Sequence, residues 1–97
     1  MVEGPDGLPP ARPGLQQNFP NSFNPVTTVR FTLAARERAR LSVANLLGQE
    51  VAVLLDGETA AGSHALRWDA AGLPTGVYFA ILRTSSFTPT RKIVYLR

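Results

Sequence analysis

TVRFTL, at residues 28–33 of this 97-residue chain, alternates polar and apolar side chains with the strict period of two that is typical of a β-strand. Its apolar residues Val29, Phe31 and Leu33 point to one face, and its polar residues, Thr32 among them, are expected to point to water. The segment therefore predicts a strand with one face buried in a core.

The same pattern recurs through most of the chain, and turn residues interrupt it about every ten positions, as in sandwiches and barrels. NLLG, at residues 45–48, is predicted to be a hairpin turn because Asn45 suits its opening and Gly48 suits a positive φ. We predict an all-β chain, an immunoglobulin-like antiparallel β-sandwich of about seven strands, with a small barrel as the structural alternative. Further strands are predicted at residues 40–44, 49–55, 63–68, 77–82 and 90–97.

Two of these strands set the expected core. In SHALRW, residues 63–68, the side chains of His64, Leu66 and Trp68 share one face, and Trp68 is expected at the centre of the core. VYFAIL, residues 77–82, is apolar on both faces. That pattern predicts a central strand covered on both sides.

The first residues differ in composition from the rest of the chain. MVEGPDGLPPARPG, residues 1–14, is rich in proline and glycine and has no apolar period, so it cannot bury enough surface to offset its ordering entropy. We predict a flexible linker over residues 1–14 and one folded domain over residues 15–97. The start of the chain lacks the basic and apolar regions of a signal peptide, so we expect a secreted parent to carry that signal elsewhere.

The residues available for chemistry are few. The chain has no cysteine and one histidine, so thiolate zinc sites are excluded and His64 has no companion ligand. Ser63, His64 and Asp69 do not form a catalytic triad, because Ser63 and His64 face opposite sides of one strand. His64 is expected to pack near Trp68 and to donate its ring N–H to a loop carbonyl. We expect no enzymatic activity, no metal and no cofactor.

The charge pattern does not favour nucleic acid or a membrane span. The net charge is +3, and no apolar run approaches the roughly 20 residues that cross a bilayer. RERAR, at residues 36–40, is the one basic cluster, and without interleaved aromatic residues it is expected to be an exposed loop.

Residues 56–58 are expected to be a turn. Gly72 and Gly76 are expected to be turn glycines, since no helix follows them to bind phosphate.

An unusual polar segment lies at residues 16–25, where asparagine alternates with aromatic residues and proline. This composition suits an extended strand that bonds through asparagine side chains where proline lacks a donor, with Phe19 and Phe23 packed as plugs. Asparagine and aromatic side chains also bind sugars. A carbohydrate-binding or adhesion module is therefore the alternative function.

Four segments, in order, resemble the type A C-terminal sorting domain of the type IX secretion system of Bacteroidetes-like bacteria, also called the Por secretion system sorting domain. LQQNFPNSFNP, residues 15–25, is similar to the family's L-x-Q-N-[YF]-P-N-P-F-N-P, with Ser22 in place of a proline. AGSH at residues 61–64, followed by Trp68 and Asp69, is similar to A-G-x-H-x-x-x-W-D.

The remaining two segments are PTGVY at residues 74–78, which is similar to P-x-G-[VI]-Y, and RKIVYL at residues 91–96, which is similar to the family's basic and hydrophobic ending. The resemblance assigns structural roles to the motif residues Asn18, Pro20, Asn21, Phe23, Asn24, Pro25, His64, Trp68 and Asp69. It assigns recognition by a translocon to Gly76, Tyr78, Lys92, Ile93, Val94, Tyr95, Leu96 and Arg97.

By this resemblance the domain is a sorting signal, covalently continuous with an N-terminal parent protein. The parent would reach the periplasm, and translocon components of the outer membrane would then pass it to the cell surface or the medium. A sortase-like cysteine protease at the surface would cut within residues 1–14 and join the parent to anionic lipopolysaccharide. We expect a monomer that binds no nucleic acid.

Each recognition residue also has a structural interpretation. Gly76 could satisfy a turn, Tyr78 could belong to the core with a bonded hydroxyl, and Lys92 could be an edge charge that discourages strand pairing. The last strand could also add to a partner's sheet. A purely structural spacer is the third functional hypothesis.

Overall fold

The computed structural model describes residues 13–20, 22–23 and 25–96, with the backbone alone described at residues 22–23. The part of the chain that the structure describes is built from strands, and none of it forms a helix that could span a membrane. In chain order the strands are β1 Gly14–Leu15, β2 Ser22–Phe23, β3 Val26–Leu33, β4 Glu37–Ala44, β5 Glu50–Thr59, β6 Gly62–Asp69, β7 Gly76–Thr84 and β8 Thr90–Tyr95.

The strands form two sheets. One sheet has the order β1-β3-β6 and the other has the order β2-β8-β7-β4-β5. All pairs are antiparallel except the short β2, which runs parallel to β8. The prediction of an all-β sandwich of about seven strands is confirmed, since two of the eight strands within the described residues have only two residues each.

The inner face of β3 is as the sequence predicts. Val29, Phe31 and Leu33 are buried and belong to one apolar cluster that receives side chains from both sheets. The expectation that Thr32 points to water is wrong, because its side chain is 2% exposed. Its hydroxyl lies 3.2 Å from that of Ser63 on the paired strand β6, so the two polar groups satisfy each other.

Trp68 joins the two sheets at the core. It is buried, and its ring meets that of Tyr78 edge to face with the centroids 5.5 Å apart. Trp68 belongs to β6 and Tyr78 to β7, so this aromatic pair crosses between the sheets. The prediction that Trp68 lies in the core is confirmed.

β7 lies between β4 and β8, so its predicted central position is confirmed. Only one of its faces is fully covered. Tyr78 and its inward neighbours are buried, whereas Val77, Phe79 and Ile81 on the other face are half-buried. The prediction of cover on both sides is wrong for the described residues, since the fold has two layers and this face is an outer one.

The turn at residues 45–48 has the predicted chemistry. The carboxamide oxygen of Asn45 accepts hydrogen bonds from the backbone N–H groups of Leu47, at 2.9 Å, and Gln49, at 3.0 Å. Gly48 has a φ of +82°, which glycine adopts without strain. The hairpin is confirmed, and its second strand is longer than predicted.

Two predicted loops are strands. Residues 36–40 run into β4 and residues 56–58 lie inside β5. The two segments face each other, and their opposite charges form a ladder in which the guanidinium of Arg38 lies 3.4 Å from the carboxylate of Asp56. Each segment alone has the composition of a turn, and the pairing between them favours the extended form.

Candidate functional site

The first and last motifs lie side by side. The Arg91 side chain donates a hydrogen bond from Nε to the carbonyl oxygen of Leu15 at 2.7 Å. The Gln17 side chain donates from Nε2 to the carbonyl oxygen of Lys92, also at 2.7 Å, across 75 residues of sequence. Later in the opening motif, β2 pairs with the end of β8. The opening segment therefore closes the outer edge of the last strand.

Asn18 joins this opening segment to the other sheet. Its side chain is 2% exposed and donates from Nδ2 to the carbonyl oxygen of Pro20, at 2.7 Å, and to Oγ1 of Thr27, at 2.9 Å. Its own oxygen accepts a hydrogen bond from Gln17. The prediction that asparagine side chains bond in this proline-rich segment is confirmed for Asn18. We call residues 15–20 the seam, because they bond to a strand of each sheet.

Of the two predicted aromatic plugs, Phe19 and Phe23, the structure describes the side chain of Phe19. Phe19 is 73% exposed, so its predicted inward packing is wrong. Its backbone exchanges two hydrogen bonds with Thr28, and the strand alternation then turns Phe19 outward when Asn18 points inward. Asn21, Asn24 and the side chain of Phe23 lie outside the described residues.

The turn that follows β6 lies next to Pro25, at the end of the opening motif. The Asp69 carboxylate accepts a hydrogen bond from the backbone N–H of Ala71 at 2.9 Å, so Asp69 opens the turn that follows. The backbone N–H of Ala70 donates to the carbonyl oxygen of Pro25. These contacts bring the tryptophan motif next to the end of the opening motif.

Gly76 and Tyr78 have the structural roles proposed from the sequence, a glycine at a turn and a core tyrosine with a bonded hydroxyl. Gly76 begins β7 with a φ of +144°, a backbone conformation that suits glycine, and lies opposite Tyr95 of β8. Tyr78 is buried, and its hydroxyl donates a hydrogen bond to the carbonyl oxygen of Pro74. Direct recognition through either residue stays a prediction.

The last strand divides its predicted recognition residues between two faces. Ile93 and Tyr95 are buried, whereas Lys92 and Leu96 are exposed and Val94 is half-buried. β7 lies on one side of this strand, and β2 with the side chain of Gln17 lies on the other. The strand thus has no free edge at β2 to add to a partner's sheet. Arg97 lies outside the described residues.

His64 lies apart from the other motif residues. His64 lies near the beginning of β6 and Trp68 near its end, so the two side chains are at opposite ends of the sandwich. Its Nε2 is hydrogen-bonded to the carbonyl oxygen of Ala60 at 2.8 Å, as expected for a loop carbonyl, and its ring stacks on Phe31 with the centroids 5.1 Å apart. Its ring partner is therefore Phe31 and not Trp68.

The strongest electrostatic feature is an ion pair that the sequence analysis missed. Arg40 binds Glu50 through two hydrogen bonds, one of them 2.8 Å long. This bonding raises the pKa of Arg40 and lowers the pKa of Glu50 from its ordinary value of 4.5. Arginines at alternate positions in residues 36–40 and carboxylates at alternate positions in residues 56–58 indicate a charged surface here, whereas Glu50 lies outside that alternation. Within the described residues, no three acidic or histidine side chains gather as a metal site.

The geometry thus brings together the opening motif, the Trp68 and Asp69 part of the second motif, and the third and fourth motifs, and it leaves the AGSH part of the second motif at the far end of β6. Over residues 17–96 the sequence matches the family described as the secretion system C-terminal sorting domain. The chain belongs to this family. This sorting domain is a signal for type IX secretion, and it is part of a larger parent protein that the system exports to the cell surface or the extracellular space.

A search of curated proteins and a search of solved structures each returned no significant match. The carbohydrate-binding alternative is not supported. The one asparagine of the opening motif whose side chain the structure describes, Asn18, is buried and bonded within the protein, so it is not available to a sugar.

Proposed function

We propose that the sorting domain is a non-catalytic label that components of the outer-membrane type IX translocon recognise in its folded form, after the parent has reached the periplasm. The observation that carries this proposal is the pair of hydrogen bonds between the seam and β8, from Arg91 to Leu15 and from Gln17 to Lys92. Motifs far apart in sequence form one surface only when the domain is folded.

The later steps are the removal of the domain and the anchoring of its parent. A sortase-like cysteine protease would cut within residues 1–14 and join the parent to anionic lipopolysaccharide. Support comes from the proline- and glycine-rich composition of that segment, since proteases prefer exposed segments of small residues. We propose that the domain acts as a monomer.

Direct contact with the translocon would fall to the accessible residues Lys92 and Val94 of the last strand and to Leu96, which follows it. The buried recognition residues would act by holding that strand in place. This division follows from burial, since a side chain inside the core cannot touch a partner without unfolding.

The test is the localisation of a reporter that carries a signal peptide and is fused to residues 1–97. It would be expressed in a bacterium with a working type IX system and in a translocon-null strain. We expect export in the first strain alone. Retention in both strains, with the domain folded, would overturn the proposal, and export after exchange for an unrelated β-sandwich would favour the spacer hypothesis.

A deletion of residues 92–97 would not separate recognition from folding, because it removes four of the six residues of a strand that lies inside the sheet. Lys92→Ala is the better variant, since this side chain is exposed. Arg67→Ala, at an exposed position of β6, is its matched control. We expect the first variant to reduce export and the second to leave it unchanged.

A further inference from the structure

The outer face of the five-stranded sheet is apolar. Val77, Phe79 and Ile81 of β7 alternate with buried core residues and point away from the core, and Val94 of β8 lies opposite Val77. All four are half-buried, and none belongs to the core cluster or packs against it. We call these four residues the outer patch. Folding of a two-layer sandwich does not require an apolar face there.

The apolar surface continues onto the hairpin turn at residues 45–48. Val77 and the two leucines of this turn line one open groove of about 330 Å³. Leu46 is 69% exposed and Leu47 is 82% exposed, although such turns usually carry polar residues. We call this hairpin the leucine turn. Apolar side chains that reach the surface next to one another in this way are typical of an interaction site.

The charges around the outer patch indicate the nature of a partner. Lys92 lies opposite Phe79 in the sheet, and Arg83 follows Ile81 on the same face of β7. Neither cation forms an ion pair within the described residues. The carboxylates of Glu50 and Asp56 on this face are already bound by Arg40. A complementary surface is therefore apolar with carboxylates at its rim.

We propose that the outer patch and the leucine turn bind a protein of the outer-membrane export machinery through an apolar surface edged by carboxylates. This inference rests on the proposed function and adds to it the surface and the chemistry of its partner. A second copy of the chain fits less well, because its carboxylates on this face are already paired. A membrane also fits less well, since the two cations Arg83 and Lys92 give only about 1 kcal/mol each at an anionic surface.

The test uses the reporter fused to residues 1–97 with Phe79→Thr and Ile81→Thr together. Threonine favours strands, so the fold should persist, and an unchanged thermal midpoint would show it. We expect affinity for the purified translocon to fall about tenfold or more, as when central apolar contacts are lost, with export falling in parallel. The matched control is Arg30→Thr with Ala65→Thr, a cross-strand pair on the outer face of the other sheet.

Two further variants keep the test decisive. Leu47→Ser changes a side chain that lies outside the core, so it applies even if the double variant unfolds, and we expect the same loss of affinity. Lys92→Glu should weaken binding more than Arg30→Glu, which changes the net charge equally on the other outer face. Equal effects of the two charge reversals would overturn the predicted carboxylate rim.

The outcomes separate this inference from the proposed function. If the unmodified fusion is not exported, the proposed function fails. If it is exported and the Phe79→Thr, Ile81→Thr variant is exported equally well, the outer patch is not the binding surface. Normal export together with loss of a dimer in sedimentation equilibrium would assign the patch to a second copy. Normal export together with loss of binding to anionic vesicles would assign it to a membrane. Either result would overturn the proposal.

Discussion

The outer faces of the two sheets differ, although their inner faces share one core. On the three-stranded sheet, Arg30 and Arg67 point outward and are exposed. On the five-stranded sheet, the corresponding positions of β7 are Val77, Phe79 and Ile81. Since a two-layer sandwich needs only one apolar face per sheet, the second apolar face is unrelated to the core. The comparison separates residues that hold the fold from residues that are free to serve recognition.

The largest expected loss of stability comes from a substitution in the shared core. Trp68→Ala should lower the free energy of unfolding by about 3–5 kcal/mol, because it removes a buried aromatic side chain and its contact with Tyr78. Urea denaturation measures this change. Arg67→Ala, at the next position and on the outer face, should cost less than about 0.5 kcal/mol. Similar losses in both variants would contradict the assignment of the two faces of β6.

A matched pair of substitutions compares the faces directly. Val29→Thr places a hydroxyl in the core and should cost about 1–3 kcal/mol, since that hydroxyl has no water to bond. Val77→Thr makes the same change on the outer patch and should cost less than about 0.5 kcal/mol. Chemical denaturation of both variants measures the difference. A large loss for Val77→Thr would show that the outer patch serves stability.

The next largest loss of stability is expected from a substitution in the seam between the two sheets. Asn18→Ala removes a buried donor and should cost about 1–2 kcal/mol, in the lower part of the usual range. The loss is limited because Thr27 keeps its own hydrogen bond to the carbonyl oxygen of Pro20, at 2.7 Å. Thermal unfolding measures it, with the exposed Gln16→Ala as the control. A loss no greater than that of the control would mean that the seam does not stabilise the domain.

The smallest effect concerns the ion pair beside the outer patch. The hydrogen bond from Arg40 lowers the pKa of Glu50, so the pair's stabilisation is complete above the ordinary pKa of 4.5 and is lost as the pH falls through the lowered pKa. Glu50→Gln should therefore be less stable than the unmodified domain at neutral pH and equally stable in strong acid. Urea denaturation across this pH range measures the difference. A difference that does not change with pH would contradict the pairing.

Local patterns in the sequence were enough to place the core. The apolar face of residues 28–33, the position of Trp68 and the turn at residues 45–48 each depend on neighbouring residues, and each was predicted correctly. The apolar character of β7 on both faces was also visible. Whether anything covers its outer face depends on the number of layers, which a local pattern does not contain.

The errors arose where distant segments determine the structure. Residues 36–40 and 56–58 have turn-like compositions, and only their pairing across the sheet makes them strands. Phe19 was assigned to the interior by residue type, whereas its pairing with Thr28 turns it outward. The seam was equally invisible, because its bonds to β8 join residues that lie 75 or more positions apart.

The position of β8 inside the five-stranded sheet makes the order of synthesis matter. Of the described strands, β8 is made last by the ribosome, yet it lies between β2 and β7, so the sheet stays open until β8 is made. A chain truncated before Thr90 would expose the edge of β7 and leave the seam without Arg91 and Lys92. A machinery that accepts only the folded domain would thereby reject parent proteins whose translation stopped early.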